Sequence, residues 1–318
     1  MDALSEVLRE AHLTGGVFFY ADLFEPWCIA ARLSPEHCSP VLGPAAHLIP
    51  YHYVVEGVMN VRVDGQEPVT LRAGEVLLLP GNDLHVLASD ITLPPVPASE
   101  IIRPSPSGDL TAVRHGGDGS KTRIICGFLA SGGLDCSPIL STLPRAMTLD
   151  IEKGEGADWI RSTFAYAADK VGAGRPGSEA ILTKLSELLF VEAIRRHVES
   201  LPADETGWLA GLRDPFVART LALLHRECAR DWSLDEIGRA VGLSRSALVD
   251  RFSRLVGLPP MHYLARCRMQ LAAHRLRSSQ APLAQIADGV GYESEAAFSR
   301  AFKKTFGAAP AAWRRLQH

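Results

Sequence analysis

Arg245, Ser246, Val249, Asp250 and Arg251 are the residues left on the outer face of one C-terminal helix once its apolar positions are turned inward. Glu295, Ala296, Ser299, Arg300 and Lys303 hold the same place on a second, with Lys304 beside them. The inward positions, Leu248, Phe252 and Leu255 in the first and Ala297, Phe298 and Phe302 in the second, follow helical spacing. Guanidinium and ammonium groups grip phosphates, while guanidinium, hydroxyl and carboxylate groups can also bond the edges of bases. The chemistry these faces offer is the reading of a polyanionic duplex.

The elements that must carry these faces repeat. Leu234, Ile237, Val241, Gly242, Phe252, Gly257 and Pro260 recur as Leu283, Ile286, Val290, Gly291, Phe302, Gly307 and Pro310, offset by 49 at the first glycine pair and 50 at the second. Each copy predicts a helix-turn-helix. Ser233 caps the first helix, Gly242 allows the tight turn and Ser244 caps the outward-facing helix. In the second copy Pro282 precedes the first helix and Ser294 opens the other. A helix over Met261–Arg277 sets the copies apart, and one over about Phe216 to Arg230, after Asp214-Pro215, opens the module.

Charge agrees with the repeat. Of 33 Lys+Arg and 36 Asp+Glu, 17 and 9 fall in Arg213–His318, so this stretch carries +8 while the first 212 residues carry −11. A basic end on an acidic body is the asymmetry expected when one end meets a polyanion. The competing readings of the module are a merely solvated basic surface and a helical protein-binding domain.

Gly291-Tyr292, Phe298, Phe302-Lys303, Phe306-Gly307, Pro310 and Trp313 resemble the signature of the AraC/XylS family of transcription regulators, with similarity from about Arg213 to Arg315. The resemblance implies two recognition helices in successive major-groove segments of double-stranded promoter or operator DNA, ~34 Å apart. Carried over by position, Ser246, Val249 and Asp250 face bases in the first unit and Glu295, Ala296 and Arg300 in the second. Arg300 is the strongest single candidate, because a guanidinium can bond guanine O6 and N7 together. Asp250 either accepts from cytosine N4 or pairs with Arg254. Arg245, Arg251, Lys303 and Lys304 are phosphate contacts or solvated face. RNA polymerase is a further partner if the protein is an activator.

The N-terminal half, from about Gly16 to Pro144, reads as β-rich. Trp27–Leu33, His52–Val55, Val58–Val63, Val76–Leu79 and Arg123–Leu129 are short apolar segments between Gly, Pro and Asp turns, and Asp64-Gly65 signals a hairpin. Thr92–Ser120, rich in Pro, Ser and Gly, reads as one long loop. Pro50-Tyr51-His52 with Glu56, then Gly74, Pro80, Asn82 and His85, resembles the two cupin motifs, with Pro50 where the first histidine would stand and Ser89 where a trailing asparagine would.

That resemblance implies that His52, Glu56 and His85 converge inside a small β-barrel, as an effector pocket with Cys126 nearby. Two imidazoles and a carboxylate suit a divalent metal such as Zn, Fe(II) or Mn, and Cys126 would be an extra soft ligand. The alternative is that His52 and His85 are hydrogen-bonded core residues. The cysteines Cys28, Cys38, Cys126, Cys136, Cys228 and Cys267 show no CxxC pairing, which argues against a disulfide scaffold or zinc finger. Cys28, Cys38 and Cys126 remain candidates for a redox role beside the simpler reading of buried, inert thiols.

Between the halves, Trp159–Lys170 is a candidate helix. Another runs from Ser178 as N-cap to about Glu199, with an apolar stripe of Ile181, Leu182, Leu185, Leu188, Leu189 and Ile194. The stripe suits packing on the β-domain or a homodimer interface. Pro202–Gly207 supplies a linker. No secretory leader or long apolar run is present, so the expected location is cytoplasmic, with no membrane partner.

The fold class expected is α+β with two domains: a cupin-like β-barrel sensing domain over 1–150, a helical dimerisation or linker segment over 151–205, and an all-α tandem helix-turn-helix domain over 213–318. The function expected is a DNA-binding regulator controlled by a small-molecule, metal or redox signal at the N-terminal domain. The alternative is a metal-dependent cupin enzyme with an appended helical domain.

Overall fold

The computed structural model describes residues 4–5, 13–33, 47–102, 111–131, 140, 142–153, 162, 178–202 and 204–316. Two compact units separate, one built from Leu13–Ser131 and Leu143–Arg196, the other containing His197–His318. The candidate helix Trp159–Lys170, apart from residue 162, and the cysteines Cys38 and Cys136 lie outside the described residues.

The first unit is the sheet-rich, cupin-like one. Its strands are β1 (Leu13–Phe24), β2 (Cys28–Ala31), β3 (His47–Glu56), β4 (Val58–Val63), β5 (Val69–Arg72), β6 (Glu75–Leu78), β7 (His85–Ala88), β8 (Val96–Pro97), β9 (Thr111–Gly116), β10 (Lys121–Ser131) and β11 (Met147–Asp150). They form a six-stranded sheet ordered β11-β6-β3-β10-β1-β9 and a five-stranded sheet ordered β5-β4-β7-β2-β8. The core lies between the sheets. Leu23, Val54, Leu77, Ile124 and Cys126 from the first pack with Ile29, Met59, Val61, Leu71 and Leu87 from the second.

The hairpin expected at Asp64-Gly65 joins β4 and β5, with Gly65 at φ +74°. A side chain is disfavoured at that angle, which is why glycine ends the turn. The single long loop expected over Thr92–Ser120 is corrected. β8 pairs with β2, a short helix α1 (Ala98–Ile101) follows, and β9 runs parallel to β1 from Thr111↔Phe19 to Gly116↔Phe24. Pairing partners some 70 to 90 positions away supply what local composition hid.

α2 (Ser178–Ser200) divides the stripe predicted for it. Leu185, Leu189 and Ile194 are buried with Phe190 and Ala193, and Ser186 donates to the Tyr51 hydroxyl on β3 at 2.8 Å. Ile181, Leu188 and Val191 face outward, at 36%, 47% and 36% exposure.

The second unit is helical: α3 (Trp208–Gly211), α4 (Pro215–Arg226), α5 (Leu234–Val241), α6 (Arg245–Val256), α7 (Pro260–Ser278), α8 (Leu283–Gly289), α9 (Glu295–Phe306) and α10 (Pro310–Leu316). α5–α6 and α8–α9 are the two helix-turn-helix units, and α7 joins them. The serine caps stand where the sequence puts them. Ser233 and Glu236 form a reciprocal capping box, and Ser244 and Ser294 accept from the backbones of Ala247 and Ala297. Among the described residues no helix is long and apolar enough to cross a membrane.

Candidate nucleic-acid interface and interior polar chain

α6 and α9 are each fixed by their buried side. In the first unit Leu248 and Phe252 are buried, and Phe252 meets the edge of Tyr263 with centroids 5.6 Å apart. Tyr263 accepts from Trp208 Nε1 at 2.7 Å and bonds His225 Nε2 at 2.8 Å. In the second, Phe298 and Phe302 are fully buried among Met269, Ile286 and Val290. Tyr292, Phe306 and Trp313 pack around them.

The opposite faces are open. Arg245, Ser246 and Asp250 on α6 are exposed and Val249 is half-buried; on α9 Glu295, Ala296, Arg300, Lys303 and Lys304 are exposed and Ser299 is half-buried. Arg245 lies 3.8 Å from Asp235, with both side chains 65% exposed, an ion pair that solvent screens to little effect. Among the described residues no ion pair joins Asp250 to Arg254, the alternative partner expected for it.

Arg251 differs from its neighbours. Its Nε donates to Asp214 Oδ2 at 2.6 Å, and its guanidinium lies 5.0 Å from the Phe216 ring centroid. Asp214 Oδ1 accepts from the backbones of Phe216 and Val217, capping α4. Burial works to raise the Asp214 pKa, but Arg251 and the two backbone N–H groups hold it below the usual carboxylate value. Next to it, Arg213 donates to the carbonyls of Leu201 and Pro202. Arg251 thus braces α6 against the start of α4 while remaining 38% exposed. The Asp-Pro pair signalled a helix start, but nothing local in the sequence pointed from Asp214 to Arg251.

In the β-unit, His52, His85 and Cys126 do come together. Cys126 and His52 are paired across β10 and β3, and His85 reaches His52 from β7 in the facing sheet. Cys126 Sγ lies 2.9 Å from His52 Nδ1, His52 Nε2 lies 2.9 Å from His85 Nε2, and His85 Nδ1 lies 2.9 Å from the Asp83 carbonyl. Burial lowers both histidine pKa values, that of His52 well below 6.5, so both rings are neutral.

A carbonyl only accepts, so the proton directions follow in sequence. His85 Nδ1–H donates to Asp83, which leaves its Nε2 to accept from His52 Nε2–H. His52 Nδ1 then accepts from the Cys126 thiol. The chain is satisfied from end to end. Burial also pushes the Cys126 thiol pKa up, away from the thiolate that reactive cysteines need.

Glu56 does not join this group, which corrects the convergence expected for it. Its side chain is 56% exposed and pairs with Lys121 at 3.1 Å. The β3–β10 register shifts between Val54 and Glu56, a bulge that takes Glu56 off the face His52 and Val54 share, and four residues of strand span about 13 Å, so one strand cannot bring both His52 and Glu56 to one ion. Cys126 and His85 sit on opposite nitrogens of the His52 ring, so no single ion takes both. The expected metal set of His52, Glu56 and His85 therefore does not fit a divalent cation, and the described residues hold no group of three or more His, Cys, Asp or Glu that could. A feature not foreseen is Trp27: its indole N–H is buried in the same core with no partner among the described residues.

Comparison with known proteins agrees with this division. A cupin family matches residues 2–199 and a helix-turn-helix domain family matches residues 237–316. The chain is 34% identical over 275 residues to an AraC-like transcription regulator of Streptomyces lividans, covering 85% of this chain and 88% of that one. It is 27% identical over 318 residues to the transcriptional regulator AlkR of Acinetobacter baylyi, covering 99% of each. Among solved structures it is similar to the DNA-binding domain of AdpA in complex with a target DNA, at 25% identity and TM-score 0.31 over 32% of this chain and 92% of that one. It is also similar to ToxT from Vibrio cholerae, at 12% identity and TM-score 0.36 over 96% and 98%.

Proposed function

Because the chain belongs to the AraC-type family of transcription regulators, with an N-terminal cupin domain and a C-terminal helix-turn-helix domain, we propose that it reads promoter DNA through α6 and α9 under control of its cupin domain. It is a DNA-binding regulator of transcription, and its relatives are regulators too, which sets the cupin-enzyme alternative aside. Ser246, Val249 and Asp250 on α6, with Glu295, Ala296, Ser299 and Arg300 on α9, face bases in successive major-groove segments. Arg245, Lys303 and Lys304 meet phosphates.

The observation that carries this reading is the pair of serine-capped helices, each anchored by buried phenylalanine and each presenting an exposed arginine outward. Arg300→Ala is expected to weaken binding by about 1–3 kcal/mol, the worth of one bidentate contact, and to relax the base preference at one position. A gel shift with the DNA upstream of its own or neighbouring genes measures this. Unchanged affinity at physiological salt when Arg245→Ala is added would contradict it.

A small molecule entering between the sheets would meet Trp27 N–H, without a partner among the described residues, beside apolar core side chains and the Cys126–His52–His85 chain, which it would reorganise. This supports an effector site there, and the effector alters DNA binding only if it binds the protein's two states unequally.

The outward stripe Ile181, Leu188 and Val191 on α2 supports homodimerisation, since i, i+7 and i+10 lie on one helical face and a second copy presents the same stripe. Leu188→Asp should convert the dimer to monomer in sedimentation equilibrium with little change in melting temperature. A wild-type protein that sediments as a monomer at micromolar concentration sinks the idea.

A further inference from the structure

The joint between the two reading units is held by one side chain that the DNA contacts do not use. Arg268 lies near the middle of α7. Its Nε donates to the Cys228 carbonyl at 2.9 Å, one Nη to the Arg230 carbonyl at 2.8 Å and the other to the Gly291 carbonyl at 3.1 Å. The guanidinium also lies 6.0 Å from the Tyr292 ring centroid.

The first two carbonyls follow the end of α4 and belong to the first unit. That segment is tied down: Arg230 pairs with Glu227 at 2.9 Å and approaches Glu236, the capping-box residue of α5, at 3.7 Å, and its guanidinium stacks 3.8 Å from the Trp232 ring centroid. The third carbonyl is in the turn between α8 and α9. Gly291 there has φ +79°, and a Cβ would stand 2.3 Å from the Ala229 carbonyl oxygen and 3.0 Å from Arg268 Cζ. The turn of the second helix-turn-helix is therefore seated on the backbone leading into the first, within the helical unit, with Arg268 bonded to both.

We propose that Arg268 is a positioning residue that sets the rotation and spacing between α6 and α9, and so the base-pair spacing at which the two reading helices engage together. The inference rests on the DNA-reading function above. A planar fork with five N–H donors can hold three carbonyls in fixed directions; an ammonium can hold the charge but not that geometry. The helix α7 sets the distance between the units, and the second unit packs on it through Met269, Ala272, Ala273 and Leu276. The Arg268 bonds at Gly291, Cys228 and Arg230 add a polar tie that runs directly from the second reading unit's turn to the first unit's backbone. One base pair inserted between two half-sites turns one by ~35° relative to the other, so register should be felt strongly by a rigid joint and weakly by a loose one.

The test uses the full chain and duplexes it enriches from a random-sequence pool, with the two contacted segments located by footprinting. One base pair is then inserted or removed between them. Wild type is expected to lose about tenfold or more in affinity on either change. Arg268→Lys and Arg268→Gln should lose less than about threefold, with affinity for a single contacted segment unchanged. A general loss of folding would weaken both measurements alike. Gly291→Ala, which pushes the same seat apart without altering Arg268, should relax the spacing preference as well. Discrimination as sharp as wild type in all three variants overturns the inference alone. A wild-type protein that enriches no duplex overturns the DNA reading and takes the inference with it.

Discussion

Phe302→Ala is expected to cost the second reading unit about 3–5 kcal/mol, the range for emptying a buried aromatic site. Phe302 is fully buried, with ring centroids 5.7 Å from Phe298, 4.6 Å from Phe306 and 5.7 Å from Trp313. Its cluster is small, with Met269, Leu276, Ile286 and Val290 as its other large members. Few neighbours can move in to fill the space. A loss of this size is comparable to the whole stability of a small domain. Urea unfolding should therefore show an early transition confined to helical signal, with DNA binding lost, while the β-unit melts as before. A change below about 1 kcal/mol would mean that α9 is not held by this cluster.

Acidification should destabilise the β-unit, and the histidine chain gives the sign. Both His52 and His85 have pKa values lowered by burial, so below about 6.5 the unfolded chain takes up protons that the folded one refuses. Stability therefore falls as pH drops through 6.5 and is fully present above it. While both rings stay neutral in the fold, the slope approaches about 1.4 kcal/mol per pH unit for each. Thermal melts of wild type between pH 7.5 and 5.5 measure the combined effect. His85→Gln should flatten the slope by removing one titrating group. A wild-type melting temperature independent of pH across that interval would show that the chain is not buried and neutral as placed.

The DNA-binding unit was legible because its determinants are local. Ser233, Ser244 and Ser294 cap helices three residues ahead of the N–H groups they satisfy, and Gly242 and Gly291 mark turns that need positive φ. Spacing alone placed Phe252 and Phe302 inward. What the sequence hid depends on distant partners. The Pro-rich segment after Thr92 looked structureless because the strands it pairs with, β1 and β2, begin some 70 to 90 residues earlier.

The cupin resemblance placed Glu56 with His52, but motif spacing shows neither the bulge between Val54 and Glu56 nor the distance along the strand, and both take Glu56 away from that site. Arg251 read as one more cation on an outer face until Asp214 was found beside it. Arg268 carried no pattern at all, since its three acceptors are backbone carbonyls that every residue type supplies.

The two oxygens of Asp214 are spent on different elements, one opening α4 and the other gripping Arg251. Neither element can shift without dragging on the same carboxylate, so the start of α4 and the first reading helix are geared together and move as one block. Among the described residues the second reading unit has no such shared carboxylate at its start: Pro282 gives α8 no side-chain cap, and Ser294 caps α9 by itself. Arg213, next in sequence, holds the carbonyls of Leu201 and Pro202, so the chain entering the helical unit is fastened at this same corner and not at the second half of the binding surface.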